Sequence, residues 1–284
     1  MTAQVTVGLD GSPESVAAAR WAAREAVLRE VPLRLAHVVE RKDEAPSEDD
    51  RLHAERIDAL LRDEADRTRR EHPDLEVLTE RLHGRPAAEL TAAADEADLL
   101  VLGSRGLGTV HGFVSGSVAL SVLGSARHPV VLVRARETER AAASRGIVVG
   151  VDIEHSCDPL LAFAFTEAAR RNAPIRFLYS RPLPTFYGYG GVMDPKMGEK
   201  ERIGALGSLD ERLTPWLERF PDVEATAGAV EGPAGDRLED SSQDAELVIV
   251  GHRPRKLPVG PRLGHVIHTV VHHSTAPVAV VPMP

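Results

Sequence analysis

The chain has 284 residues, 43% of them hydrophobic, so it can bury a full core, and its length suits one large domain or two of about 140 residues. Its net charge is -9 with acidic and basic residues intermixed, which excludes the basic footprint of a nucleic-acid binder, and no apolar run approaches the roughly 20 residues that span a bilayer. The single cysteine, Cys157, excludes an internal disulfide, and the opening MTAQVTVGLD has neither a basic nor an apolar leader region, so a cytoplasmic protein is expected.

The first element is VTVGL from Val5, a short run with the Val and Leu content of a strand buried on both faces. SPESVAAARWAAREAVLRE follows as a helix, with Ser12 as its capping residue, Pro13 close behind, and Val16, Ala19 or Arg20, Ala23 and Val27 at helical spacing. LRLAHVV is the second strand. EDDRLHAERIDALLRDEADRTRREH is an amphipathic helix with Ile57, Leu60 and Leu61 on its apolar face. EVLTERL and DLLVLG supply the third and fourth strands, SVALSVLGSA a helix after Gly116, and PVVLVR the fifth strand. Strands alternating with helices imply a parallel sheet, because right-handed crossovers lay the helices on both of its faces.

The second half restates the first. VTVGLDGSPES from Val5 matches IVVGVDIEHSC from Ile147, and VPLRLAHVVE from Val31 matches APIRFLYSRP from Ala173. ADLLVLGSRG from Ala97 matches AELVIVGHRP from Ala245, and RHPVVLVR from Arg127 matches TAPVAVVP from Thr275. The second copy is slightly longer, and the natural place for the excess is RPLPTFYGYGGVMDP, whose Phe186, Tyr187 and Tyr189 suit a lid, an interface patch or a plain loop. Two tandem doubly wound α/β domains follow, 1–136 and 145–284, each a five-stranded parallel sheet with helices on both faces, joined near RETERAAASRG.

Ligands of doubly wound sheets bind beyond the carboxyl ends of the strands, where the strand order reverses. The segment GSRGLGTVHGFVSGS lies there, between the fourth strand and a helix, with glycines at Gly103, Gly106, Gly108, Gly112 and Gly116. Glycine costs backbone entropy, so this density needs a close neighbour to explain it. Free amides and the dipole at the helix start favour an anion, and phosphate is the natural guest. No G-x-x-x-x-G-K-[ST] occurs, and GLDGSPES is not G-x-G-x-x-G, which disfavours P-loop and dinucleotide enzymes.

The spacing Gly103-x2-Gly106-x9-Gly116-Ser117 resembles the ATP-binding signature of the universal stress protein family, G-x2-G-x9-G-[S/T]. Asp10 after the first strand, the final X-Pro-Val strand and the tandem arrangement extend the likeness over essentially the whole chain. The resemblance implies the adenine nucleotide alpha hydrolase-like fold and ATP as ligand, with Mg²⁺ as its candidate companion. It places Gly8, Leu9 and Asp10 along the nucleoside, Val38 against adenine, and Leu102 and Gly103 beside ribose and phosphates. It sets Arg105, Gly106, Gly116, Ser117 and Val118 around the triphosphate. Asp10 also suits a helix cap, and Arg105 a solvated loop charge. The resemblance further implies association through the last strands and a homodimer.

No serine-histidine-acid set, carboxylate pair or metal triad converges on the glycine loop, so a nucleotide-binding stress or regulatory protein is expected rather than an enzyme. A slow ATPase and a non-binding dimerisation scaffold are the alternatives. The second copy reads GHRPRKLPVGPRLGH, which keeps Gly251 and Gly264 but sets Pro254 against Gly106 and His265 against Ser117. Proline removes an N–H donor, so that loop is expected to bind nucleotide weakly or not at all, even with Arg253, Arg255, Lys256 and Arg262 nearby. His265, His268 and His272 stand at helical spacing, and packing explains them better than a metal; Cys157 reads as an inert thiol, and Trp21 and Trp216 as packing residues.

Overall fold

The computed structural model describes residues 3–40, 48–104, 117–135, 146–181, 195–253 and 263–284. The chain divides into two compact units, Met1–Ala142 and Ala143–Pro284.

The first unit runs Val5–Gly8 (β1), Pro13–Arg29 (α1), Leu33–Val39 (β2), Glu48–Glu71 (α2), Val77–His83 (β3), Pro86–Glu96 (α3), Leu99–Gly103 (β4), Ser117–Leu123 (α4) and Val130–Val133 (β5). Its strands are parallel in the order β3-β2-β1-β4-β5, with Val5 opposite both Leu33 and Leu99. The chain moves outward from β1 to β2 and β3, then returns to the other side of β1 for β4. The strand order therefore reverses between β1 and β4, and a crevice opens beyond their carboxyl ends.

The second unit repeats this as Ile147–Gly150 (β6), Asp158–Arg171 (α5), Ile175–Arg181 (β7), Pro195–Arg219 (α6), Ala225–Glu231 (β8), Ala234–Ser242 (α7), Leu247–His252 (β9), His265–His273 (α8) and Val278–Pro282 (β10). Its parallel order is β8-β7-β6-β9-β10. The residues that lengthen this copy fall between Arg181 and Pro195, and Phe186, Tyr187 and Tyr189 lie outside the described residues.

In each unit the core lies between the parallel sheet and its helices. Val5, Val7, Leu33, Leu35, Leu99 and Leu100 are fully buried in the first unit, as the short apolar runs predict. Helix α1 lays alanines on the sheet, Ala18, Ala22 and Ala26, each completely buried, while Val27 is 45% exposed. Of the expected stripe, Ala19 and Ala23 are buried, while Val16 is half-buried and Arg20 and Val27 are exposed. Apolar residues occur all round α1, so spacing did not fix its inner face; small side chains occupy the closest approach to the sheet. On α2, Ile57 and Leu61 are buried as expected and Leu60 is half-buried. In the second unit Trp216 stacks on Phe165 and Phe220, with Phe177 beyond, and Trp21 is buried in the first.

Helix α1 begins where the sequence places it. The Ser12 hydroxyl accepts from the Ser15 amide at 3.2 Å, and Pro13 supplies the preset first turn. That turn crosses the end of β4. A Cβ on Gly103 would stand 2.6 Å from the Glu14 carbonyl carbon and 2.7 Å from the Ser15 nitrogen, backbone atoms that cannot swing aside. Gly103→Ala should therefore lower the unfolding free energy by about 1–3 kcal/mol, the usual cost of overpacking. Urea denaturation without nucleotide measures this, and an unchanged midpoint would mean that α1 shifts without cost.

Candidate functional site

The carboxyl ends of β1, β2 and β4 bring together most of the residues that the sequence assigns to the nucleoside. Gly8 ends β1 because a Cβ there would sit 2.8 Å from Leu102 Cδ2 and 3.3 Å from Leu90. Leu9 continues the ladder, its amide donating to the Ala36 carbonyl at 2.8 Å, and its own carbonyl lies 2.6 Å from His37 Nδ1. Both Leu9 and Leu102 turn their side chains into the core, at 3% and 5% exposure. Any contact they make with a ligand is consequently through backbone.

Asp10 is exposed, and its Oδ1 accepts from the Ser12 amide at 2.9 Å and the Ser12 hydroxyl at 2.5 Å. The cap of α1 is Ser12, and Asp10 braces it from behind. A carboxylate offers roughly four acceptor positions, so bracing Ser12 and accepting from a ribose hydroxyl are compatible roles. Val38 is half-buried near the end of β2, at the same end of the sheet. Gly103 is half-buried under α1, Ser117 begins α4, and Val118 is exposed. Arg105, Gly106 and Gly116 lie outside the described residues.

The second unit handles the equivalent corner differently. Helix α5 starts at Asp158, about one turn later than α1 in the aligned chain, after Cys157 and with no side-chain cap. Ile153, Glu154 and His155 stand where Gly11, Ser12 and Pro13 start α1. Arginines occupy the carbonyls that a further helical turn would have used: Arg212 donates to Ile153 at 2.5 Å and to His155 at 3.0 Å, and Arg253 donates to Ser156 at 2.5 Å. Arg253 also meets Asp152 Oδ2 at 3.1 Å, and His155 Nδ1 stands 2.8 Å from that oxygen. Partial burial opposes ionisation of Asp152, but the Glu154 amide, His155 and Arg253 outweigh it and hold its carboxyl below the usual range.

At this corner, in the second unit's counterpart of the crevice, lies a cavity of about 420 Å³. It is bordered by Gly150, Asp152, Gly251, Arg253 and Gly264 and walled by Val151, Leu160, Leu178, Leu238, Ile267 and Met283. His252 and Cys157 also line it, each 3% exposed. Burial lowers the His252 pKa, and among the described residues His252 Nε2 has no hydrogen-bond partner. Burial likewise pushes the Cys157 thiol up, against the opposing charge of Arg212, as an inert thiol requires. Sequence reading passed over His252. Its one signal was a histidine directly after the strand glycine Gly251, where the first copy has Ser104.

His268 is exposed, not the core-facing residue its alignment with Leu120 suggests, and its ring lies 4.3 Å from that of His272. Among the described residues, no group of three or more His, Cys, Asp or Glu could hold a metal ion. No helix among them is long and apolar enough to cross a membrane. Pro254, Arg255, Lys256, Pro258, Pro261 and Arg262 lie outside the described residues.

The sequence pattern of the universal stress protein family matches residues 1–134 and 144–282, one copy in each unit. A universal stress protein of Mycobacterium tuberculosis is 31% identical over 292 residues, covering 97% of this chain and 95% of its own. The crystal structure of a universal stress protein from Archaeoglobus fulgidus superposes with a TM-score of 0.70 at 16% identity, covering 98% of both chains. A universal stress protein crystallised with cAMP is 31% identical and covers 47% of this chain and 98% of its own, with a TM-score of 0.37. With two family copies and a tandem relative matched nearly end to end, the chain belongs to the universal stress protein family.

Proposed function

We propose that the first unit binds ATP and that the protein acts as a nucleotide-responsive regulatory or stress-response protein rather than as an enzyme. The observation that carries this reading is Gly103-x2-Gly106-x9-Gly116-Ser117, strung between the end of β4 and the start of α4, beside the reversal of strand order. The described corner fits a nucleoside: backbone at Leu9 and Gly103 faces the crevice side of the sheet, and Asp10 presents an exposed carboxylate there. Asp10 would accept from ribose hydroxyls, and loop amides with Arg105 would donate to phosphate oxygens. Mg²⁺, where bound, would offset phosphate charge. The chain is proposed to associate as a homodimer.

Occupancy is proposed to be asymmetric. In the second unit Asp152 and Arg253 neutralise one another, and Pro254 stands where Gly106 would donate an amide. Calorimetry on the intact chain should give one ATP per chain. A bulky residue at Gly106 or Gly116 should weaken that binding by about 1–3 kcal/mol, comparable to lost buried hydrogen bonds, with the circular dichroism spectrum unchanged. Two equivalent sites, or an unaltered dissociation constant, would overturn the assignment. Steady-state hydrolysis with and without Mg²⁺ checks the non-enzymatic part, where sustained turnover would count against it.

Asp10→Ala separates nucleoside recognition from helix capping. It should weaken ATP more than inorganic triphosphate, since Asp10 belongs to the nucleoside end. Loss of the brace on Ser12 adds a modest fall in stability, within the roughly 0.5–2 kcal/mol typical of capping changes. Equal losses for both ligands would leave Asp10 with the capping role alone.

A further inference from the structure

We propose that the cavity of the second unit is a binding site for a small apolar monocarboxylate, an acid with one anionic head on an aromatic or branched aliphatic body. The inference goes beyond nucleotide binding by the first unit and does not depend on it.

Three observations converge. The cavity of about 420 Å³ is walled mainly by aliphatic side chains from β6, α5, β7, α7 and α8, with the flexible Met283 thioether among them. Such walls take an apolar body. At the end of β9 the imidazole of His252, 3% exposed, lines the cavity, and its buried Nε2 has no hydrogen-bond partner among the described residues. A buried polar atom without a partner is costly, and a ligand oxygen resolves it by accepting from an Nε2–H. The third is the start of α8. Gly264 caps it without a side-chain bond, and Gly264, His265, Val266 and Ile267 line the same cavity. Its open first-turn amides and positive dipole end favour a single negative charge.

The charges at the rim limit that head to one. Arg253 is held by Asp152 at 3.1 Å and by the Ser156 carbonyl at 2.5 Å, so its guanidinium is already engaged. Glu154 is exposed beside it, and Tyr179 on the cavity wall has its pKa raised by burial and by the nearness of Glu154 and Asp152. With that guanidinium engaged, a single carboxylate at the α8 end asks less of this rim than a chain of phosphates would.

The test uses the full-length protein and 2-naphthoate. Cys157 is the single cysteine of the chain and lines the cavity, so its reaction with a small thiol reagent, slow at neutral pH and followed at alkaline pH where the raised thiol ionises, reports occupancy. Saturating 2-naphthoate should slow that reaction several-fold and give a one-site heat in calorimetry. In the Gly116-substituted chain, ATP should leave the Cys157 rate unchanged while 2-naphthoate still protects. His252→Phe should weaken 2-naphthoate by at least about tenfold, equivalent to about 1.4 kcal/mol, and His252→Gln, which keeps a donor near the Nε2 position, should recover most of it. No protection by 2-naphthoate, protection by ATP in its place, or undiminished binding to folded His252→Phe would each overturn the proposal. Should His252→Phe fail to fold, the two protection measurements decide by themselves.

Discussion

The approach of α1 to the end of β4 is the constraint on which the first unit's crevice depends. At Gly103 the two backbones stand too close for a Cβ, whereas at Gly8 a Cβ would press on the side chains of Leu102 and Leu90. These two glycines answer to packing inside the fold. Gly106 and Gly116, which carry the proposed phosphate contacts, lie outside the described residues. Within the dense glycine segment, the first member thus has its cause in packing.

In the second unit that constraint is relaxed. Gly251 stands where Gly103 does, but a Cβ there would meet Met283 Cγ at 3.1 Å, a flexible side chain, and no backbone of α5. The difference follows from the first turn. Ser12 and Pro13 start α1 early, whereas Glu154 and His155 give no cap and no preset turn, and α5 waits until Asp158 with Pro159 behind it. Arg212 and Arg253 then satisfy the carbonyls left behind. Cys157 and Leu160, at the late start of α5, border the cavity.

Strand and helix order, the tandem repeat and the parallel sheets were legible in the sequence because each rests on local pattern: Val and Leu runs for strands, Ser12-Pro13 for a helix start, and repeated strings for the two copies. The inner face of α1 was not legible. Alanine is apolar enough to blur the stripe, and only proximity to the sheet chose Ala18, Ala22 and Ala26 over Val27. The Asp10, Val38 and Gly103 corner was legible through family likeness, and the brace on Ser12 follows from a short-range Asx contact. The His252 cavity was not, because it arises from a helix that starts late and from two arginines, Arg212 and Arg253, far apart in sequence from the carbonyls they hold.

Arg253 aligns with Arg105, and its environment says what a guanidinium at this corner does when a carboxylate reaches it first. To bind phosphate, Arg253 would have to leave Asp152 and the Ser156 carbonyl. Asp152 would then face the incoming anion beside Glu154. Two like unit charges 4 Å apart repel by about 4 kcal/mol at an effective dielectric near 20, less where water reaches them as it does at the half-exposed Asp152. A residual cost of even a fraction of that is a large factor in affinity, since about 1.4 kcal/mol is tenfold. Divergence between the two copies thus needs no change of fold: with Ser12 and Pro13 replaced by Glu154 and His155, the kept aspartate and arginine pair with each other at the mouth of the second unit's largely apolar cavity.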